Sequence, residues 1–309
     1  MKIQRYTEFC SKNNTYEVRG LCMLLILFHH IYVQMIQMGY SIPYVGILLS
    51  PGGFLGTGLF FFMSGYGLYH SMAFKEIISA SYLWKRLLKM WSVFIVAYIL
   101  AVIPMVLNHE IFFWGGLFGD FLTLTIPPTT TWFFKVIVLT YIVTFLIFKL
   151  NVKRELKVGL VALGYVMYYV ISSKLLPDFW YTSVLCFPIG MIVALYKSNL
   201  NTKLQLLLSI LFVPCFWEIK DLQWRFITAI LFCFFVLFLV RFVRYKSYVL
   251  RYIGTNSLCF YLFQLALLQN LHILTSHPLV YMLLMVGCVF LFVFVYVKWL
   301  QPISNKIIN

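Results

Sequence analysis

Apolar runs of about 17–25 residues recur along this whole sequence, each long enough to carry a helix through a hydrocarbon core of roughly 30 Å. Nothing else in the chain constrains the fold so strongly, because in lipid a backbone must satisfy its own hydrogen bonds, and a helix does so within one segment. Ten such segments can be drawn, at roughly 18–38, 46–72, 91–108, 131–150, 158–173, 180–196, 204–217, 225–241, 255–272 and 279–298. Composition agrees: 62% of the 309 residues are hydrophobic and only 11% are charged, too few to cover a soluble surface. The expected fold is an all-α polytopic membrane protein, a single membrane domain over residues 1–309 with about ten transmembrane helices.

The formal net charge of +15 would suit an acidic partner, but its distribution assigns it to topology instead. With the N-terminus cytoplasmic, all of the 24 Lys and Arg except Lys135, Lys174, Lys220 and Arg225 fall in cytoplasmic segments or at their borders. Both termini are then expected in the cytoplasm, membrane lipids are the surrounding partner, and no nucleic acid is expected. The apolar stretch Ile111–Ile126 would flip this arrangement if it spanned. Gly115, Gly116, Gly119 and Asp120 interrupt it, so it is expected as a re-entrant or interfacial segment on the outer side, buried against protein. The first apolar run is about 20 residues with no small-residue cleavage site, which does not suit a removable signal peptide. Cys10, Cys22, Cys186, Cys215, Cys233, Cys259 and Cys288 form no C-x-x-C pair and mostly lie within spans or at their ends. They read as helix-packing residues rather than disulfides, metal ligands or nucleophiles, and no metal is expected.

Polar groups inside hydrocarbon are costly, so the few present are functional candidates. Arg19 and His30 are eleven residues apart, about three helical turns, which puts them on one stripe roughly 16 Å apart. His29 points about 80° away from Arg19. Arg19 would sit at the cytoplasmic border and His30 near mid-membrane; the alternative makes Arg19 an anchor and His30 a packed neutral residue. In the second span, Gly52 and Gly56 have the small-xxx-small spacing of close helix packing and do not form a phosphate loop. Ser64 and Gly65 would lie about 13 Å deep, close to the level of His30. The segment Tyr82–Trp91 alternates charges and aromatics, which suits either headgroup anchoring or a phosphate cluster. Within it Arg86 is best shaped for bidentate contact. Lys135 either snorkels to the outer surface or meets an acceptor. Glu110, Asp120, Asp178, Glu218 and Asp221 would face outside, as solvated charge or as hydroxyl contacts.

Taken in order, Arg19-x10-His30, Leu59–Tyr66 (LFFFMSGY), Lys85-Arg86-x-x-Lys89, Trp132-Phe133 and Gly254-x-x-Ser257-Leu-x-x-Tyr261-Leu262 resemble the membrane acyltransferase-3 family. The resemblance implies a multi-pass protein of the cell (inner, cytoplasmic) membrane. Such a protein moves acetyl or a similar group from a cytoplasmic acyl-CoA donor, most simply acetyl-CoA, to a glycan or lipid-linked glycan acceptor. It implies functional roles for Arg19 and His30, and contact of Arg86 and Lys89 with the donor's phosphates. Lys85, Arg19 and Arg251 would add to that phosphate site. His30 would serve as base toward an acceptor hydroxyl or form an acyl-imidazole, with Ser64, the Gly65 backbone and Asn256 as oxyanion donors. The sequence departs from the family pattern at Gly58, where Asp is common, and at Lys89, where Arg is common. It also has Thr130-Thr131 and Gln264 where histidines are common, which leaves His30 as the titratable candidate. Other classes compatible with ten spans are a transporter or flippase of a lipid-linked glycan, a glycan polymerase and a structural or receptor protein. Internal repeats and large outer loops, which would mark the first two, are not evident.

Overall fold

The computed structural model describes residues 12–40, 43–73, 79–107, 114–127, 129–196, 202–217, 222–242, 247–272, 275 and 277–308. Cys10, Lys75, Glu110, Lys197, Glu218, Lys220, Asp221, Arg244 and Lys246 lie outside the described residues, as do Lys2 and Arg5. Regular structure among the described residues is helical throughout, with no strand. The helices are α1 (Lys12–Gln37), α2 (Pro43–Leu49), α3 (Gly52–Met72), α4 (Ala80–Leu107), α5 (Trp114–Leu122), α6 (Trp132–Lys149) and α7 (Arg154–Leu175). They continue with α8 (Cys186–Leu195), α9 (Thr202–Trp217), α10 (Leu222–Phe242), α11 (Tyr248–Thr255), α12 (Ser257–His272), α13 (Pro278–Val295) and α14 (Gln301–Ile308). A π-helical turn, Tyr296–Leu300, joins the last two.

Among the described residues, six segments are long and apolar enough to cross a membrane: Asn14–Gln37, Tyr44–Met72, Ala80–Leu107, Trp132–Lys149, Arg154–Leu175 and Pro278–Ile308. At the other four expected spans stand shorter apolar helices, Cys186–Leu195, Thr202–Trp217, Trp224–Val240 and Ser257–Leu268. Proline explains two departures from the expected boundaries. The span drawn at 46–72 is two helices, α2 and α3, because the residue before a proline is pushed out of the helical region and Ser50 precedes Pro51. The span drawn at 180–196 is α-helical only from Cys186. Pro188 has no N–H and is tolerated in a first turn but not in a helix interior, and Val184, Cys186 and Phe187 each bond the carbonyl three residues earlier. Among its described residues, the segment 111–126 holds the nine-residue α5, a helix about 13 Å long and by itself too short to span. It is not buried as expected: Phe121 packs on Trp91, Phe94 and Tyr98 of α4, while Phe118 and Leu122 are exposed.

The helices group into two compact units, one of Met1–Ile26, Pro51–Ile78 and Val143–Thr255, the other of Leu27–Ser50, Ser79–Ile142 and Asn256–Asn309. In the first unit α3 is buried along nearly its whole length. Lipid tails are as apolar as leucine, so packing rather than hydrophobicity must hold such helices together, and close approach needs small residues. A Cβ on Gly65 would collide with the Phe187 carbonyl of α8, and one on Gly190 of α8 with the Phe62 carbonyl of α3. Gly52 and Gly56 face Leu25, Ile26 and Cys22 of α1, as their spacing anticipates. A Cβ on Gly58 would stand 3.2 Å from Ala229 Cβ and 3.3 Å from Cys186 Sγ, a tight fit for the aspartate common in the family pattern. The turn from α6 into α7 is fastened by Lys157, whose Nζ donates to the Phe148 carbonyl at 2.8 Å, a cation meeting the negative end of α6.

In the second unit α12 packs against α4 and α13. Phe94 of α4 stacks on Phe134 of α6 with ring centroids 5.5 Å apart, and Tyr281 of α13 donates to the Leu268 carbonyl at 3.1 Å. After Gln37 the chain stops being helical at Gly39, whose φ of +85° suits a residue without Cβ. The paired bonds Gly39 N–H to Ile36 and Tyr40 N–H to Met35 satisfy the last carbonyls there. Of the described cysteines, Cys22, Cys186, Cys233 and Cys259 are buried and all six are unpaired thiols, in keeping with packing.

Candidate active site

The first half of α1 carries Arg19. Here α1 and α11 touch backbone to backbone: a Cβ on Gly20 would strike the Leu250 carbonyl, and one on Gly254 the Tyr16 carbonyl. That approach brings Arg251 to Glu17, Nη2 donating to Oε1 at 3.2 Å. Glu17 is only 4% exposed, and Arg251, the more open partner, is its counter-ion. Arg19 is half-buried, and its Nη2 lies 4.0 Å from where a Cβ on Gly67 of α3 would stand. Gly67 and His70 are exposed, whereas Ser64, less than one turn earlier on α3, is buried. The guanidinium thus borders an accessible strip of α3 whose next turn carries Ser64. His70 lies against the Tyr66 ring, centroids 4.7 Å apart. Gly65, expected to offer a backbone donor, cannot do so: inside α3 its N–H belongs to the helical ladder, and its open side is filled by α8.

The second half of α1 carries the two histidines, which the structure treats differently. His29 Nδ1 donates to the Leu49 carbonyl at the end of α2, at 2.9 Å. His30 is half-buried, with an enclosed Nδ1 that has no hydrogen-bond partner among the described residues. Beside its ring lies the side-chain amide of Gln264 from α12. No well-formed hydrogen bond engages either polar atom of that amide. Asn256, the other expected oxyanion donor, is buried at the junction of α11 and α12, and its carbonyl accepts the Phe260 N–H at 3.1 Å.

On α4 the basic cluster divides. Lys85 and Lys89, one turn apart, are exposed. Arg86 turns inward, Nη1 donating to Tyr82 Oη and Nη2 to Tyr141 Oη, both at 3.0 Å. Its guanidinium also lies over the Tyr141 ring, 4.4 Å from the centroid. Two tyrosines therefore fix the plane of the fork and occupy two of its five N–H groups. Tyr82 stands four residues before Arg86 and was legible in the sequence, whereas Tyr141 comes from α6 and was not.

Two of the motif segments meet. Phe133 of Trp132-Phe133 packs edge-on against Tyr261, ring centroids 5.3 Å apart. Ahead of them the chain is strained: Leu124 and Thr131 have φ of +56° and +42°, and the buried Thr131 hydroxyl donates to the Leu124 carbonyl. Non-glycine residues in this region persist only where their surroundings hold them. Lys135 is half-buried, and its Nζ donates to Thr125 Oγ1 at 2.7 Å.

A family model described as an acyltransferase domain, acyltransferase-3, matches residues 18–300, nearly the whole chain. The chain belongs to the acyltransferase-3 family. It is a multi-pass membrane acyltransferase, and the transporter alternative is not favoured. No curated protein and no solved structure matches it. In this acyltransferase the motif residues do not all serve one purpose. Gly65 and Gly254 are where helices cross, Arg86 is a fork held by tyrosines, and His30 is the histidine whose inner nitrogen no backbone carbonyl has claimed.

Proposed function

We propose that this acyltransferase transfers an acyl group, in the first instance acetyl from acetyl-CoA, to a hydroxyl of a cell-envelope or exported glycan. The reading places the chain in the cell (inner) membrane with ten passes and both termini cytoplasmic, four of the passes being the shorter helices. Arg86, Lys85, Lys89 and Arg19 would then stand at the inner face and hold the donor's phosphates, Arg86 by directed hydrogen bonds and the lysines as exposed point charges. His30 is the base. It takes the proton of the acceptor hydroxyl as that oxygen attacks the thioester carbonyl carbon; the C–S bond breaks, and the proton passes to the departing thiolate. Ser64 is the side-chain candidate for the developing oxyanion.

One observation carries the proposal: of two adjacent histidines in a membrane helix, only His30 keeps an enclosed ring nitrogen unmatched while part of its ring is accessible. A histidine retained for packing would be tied to a neighbour, as His29 is. Membrane vesicles given radiolabelled acetyl-CoA test this directly. His30→Ala should leave the protein inserted and abolish label transfer to envelope material. Wild-type transfer by that variant ends the base assignment.

A further inference from the structure

In the second unit, the described polar side-chain atoms enclosed without a well-formed hydrogen bond are His30 Nδ1 and both the nitrogen and the oxygen of the Gln264 amide, and that amide lies close enough to the imidazole to interact with it. Gln264 is 0% exposed and is the one polar side chain in the run Leu262–Leu268. A buried amide ordinarily spends its donors and its acceptor on neighbours, because each unmatched group keeps its full desolvation cost. Asn270, on the same helix, behaves that way, donating to the Ala266 carbonyl at 2.8 Å. An intramembrane polar group that does not is retained for something else.

We propose that His30 and Gln264 form a hydroxyl-binding subsite, in which Gln264 holds the oxygen of the acceptor alcohol while His30 receives its proton. The complementarity is specific. A hydroxyl is donor and acceptor at once: its O–H donates to His30 Nδ1, with the ring proton on Nε2, and its oxygen accepts an N–H from the Gln264 amide. The amide carbonyl remains to accept from a neighbouring hydroxyl, so a vicinal diol, as on a sugar ring, is matched better than a lone alcohol. A thioester carbonyl or a carboxylate only accepts and has no proton to give to His30. The inference rests on the acyl-transfer reading and adds to it the residue that selects an alcohol as acceptor.

Gln264→Leu tests it, since leucine is apolar and similar in size. In purified full-length protein its Tm should stay within about 5 °C of the wild type, because the amide makes no well-formed protein hydrogen bond. A fall of more than about 5 °C would show that the amide makes structural bonds and overturn the subsite. In vesicles given radiolabelled acetyl-CoA, Gln264→Leu should lower transfer about tenfold or more, while coenzyme A binding, read by calorimetry on the purified protein, stays within about twofold. Wild-type transfer, or lost coenzyme A binding, overturns the proposal. His30→Ala run alongside separates the two ideas. Wild-type transfer by His30→Ala ends the base assignment and the subsite with it, whereas no transfer by the wild type removes the acyl-transfer reading and leaves the Tm result to judge the subsite. An inactive His30→Ala beside an active Gln264→Leu removes only the subsite.

Discussion

Adding one methyl group at Gly254 should cost this protein several degrees of thermal stability. A Cβ there would stand 2.7 Å from the Tyr16 carbonyl carbon and 2.8 Å from the Gly20 nitrogen, with the Tyr16 oxygen nearer still. Carbon atoms sit comfortably from roughly 3.5 Å, and with the oxygen nearer than the carbon, α1 and α11 would have to part by more than about 1 Å. All of the colliding atoms are backbone, and no rotamer change relieves them. Overpacking of this kind reaches about 3 kcal/mol, and the better helix propensity of alanine returns about 1 kcal/mol. The net loss of about 2 kcal/mol corresponds to a Tm lower by about 4–8 °C. Parting the helices also stretches the 3.2 Å contact between Arg251 and the buried Glu17, which acts in the same direction. The assay is thermal unfolding of the detergent-solubilised full-length protein. Gly159→Ala and Gly164→Ala on α7 are the controls, because a Cβ at either meets nothing within 4 Å; their Tm should hold or rise. An unchanged Tm for Gly254→Ala, or an equal fall in the controls, would refute the backbone-contact argument.

Other substitutions separate the site's parts. His29→Ala removes one hydrogen bond, about 1 kcal/mol of stability, and should keep transfer within about tenfold of wild type. His30→Ala should lower transfer at least about a hundredfold, and equal losses in the two variants would sink the distinction between them. Arg86→Ala should raise the KM for acyl-CoA about tenfold or more and leave the acceptor KM alone. Tyr141→Phe keeps the ring under the guanidinium but loses the Nη2 bond, so the donor KM should rise about two- to tenfold. A change confined to the acceptor KM would show that Arg86 is misassigned. Leu124→Asn puts a residue tolerant of positive φ where leucine is strained and should raise Tm by about 2–4 °C; no rise would mean that the strain is already offset.

Helix existence could be read directly from the apolar runs, because a lipid-spanning segment announces itself by length alone. Local pairings were legible too: Gly52 with Gly56, and Arg86 with Tyr82 one turn back, follow from helical spacing. The proline signals at Pro51 and Pro188 were also present, and apolarity masked them when spans were drawn by hydropathy. What stayed hidden were contacts between segments far apart in sequence. Nothing in the residues around Gly20 names Gly254 as its partner, nothing near Arg86 points to Tyr141, and Gln264 looked like a departure from a pattern until α12 placed it beside His30. Apolar helices of similar composition offer many near-equivalent packings, so the choice among them lies in shape complementarity that periodicity does not encode.

The interlocked glycines of α3 and α8 bear on how a site here can open. Each helix presses a bare Cα against the other's carbonyl, at Gly65 and at Gly190, so neither can slide or roll by even a fraction of a turn without driving a neighbouring side chain into backbone. The two helices must travel as one plank. Any motion that opens a passage beside them has to be sought in other helices, and the serine carried by that plank keeps its bearing on α8 while they move.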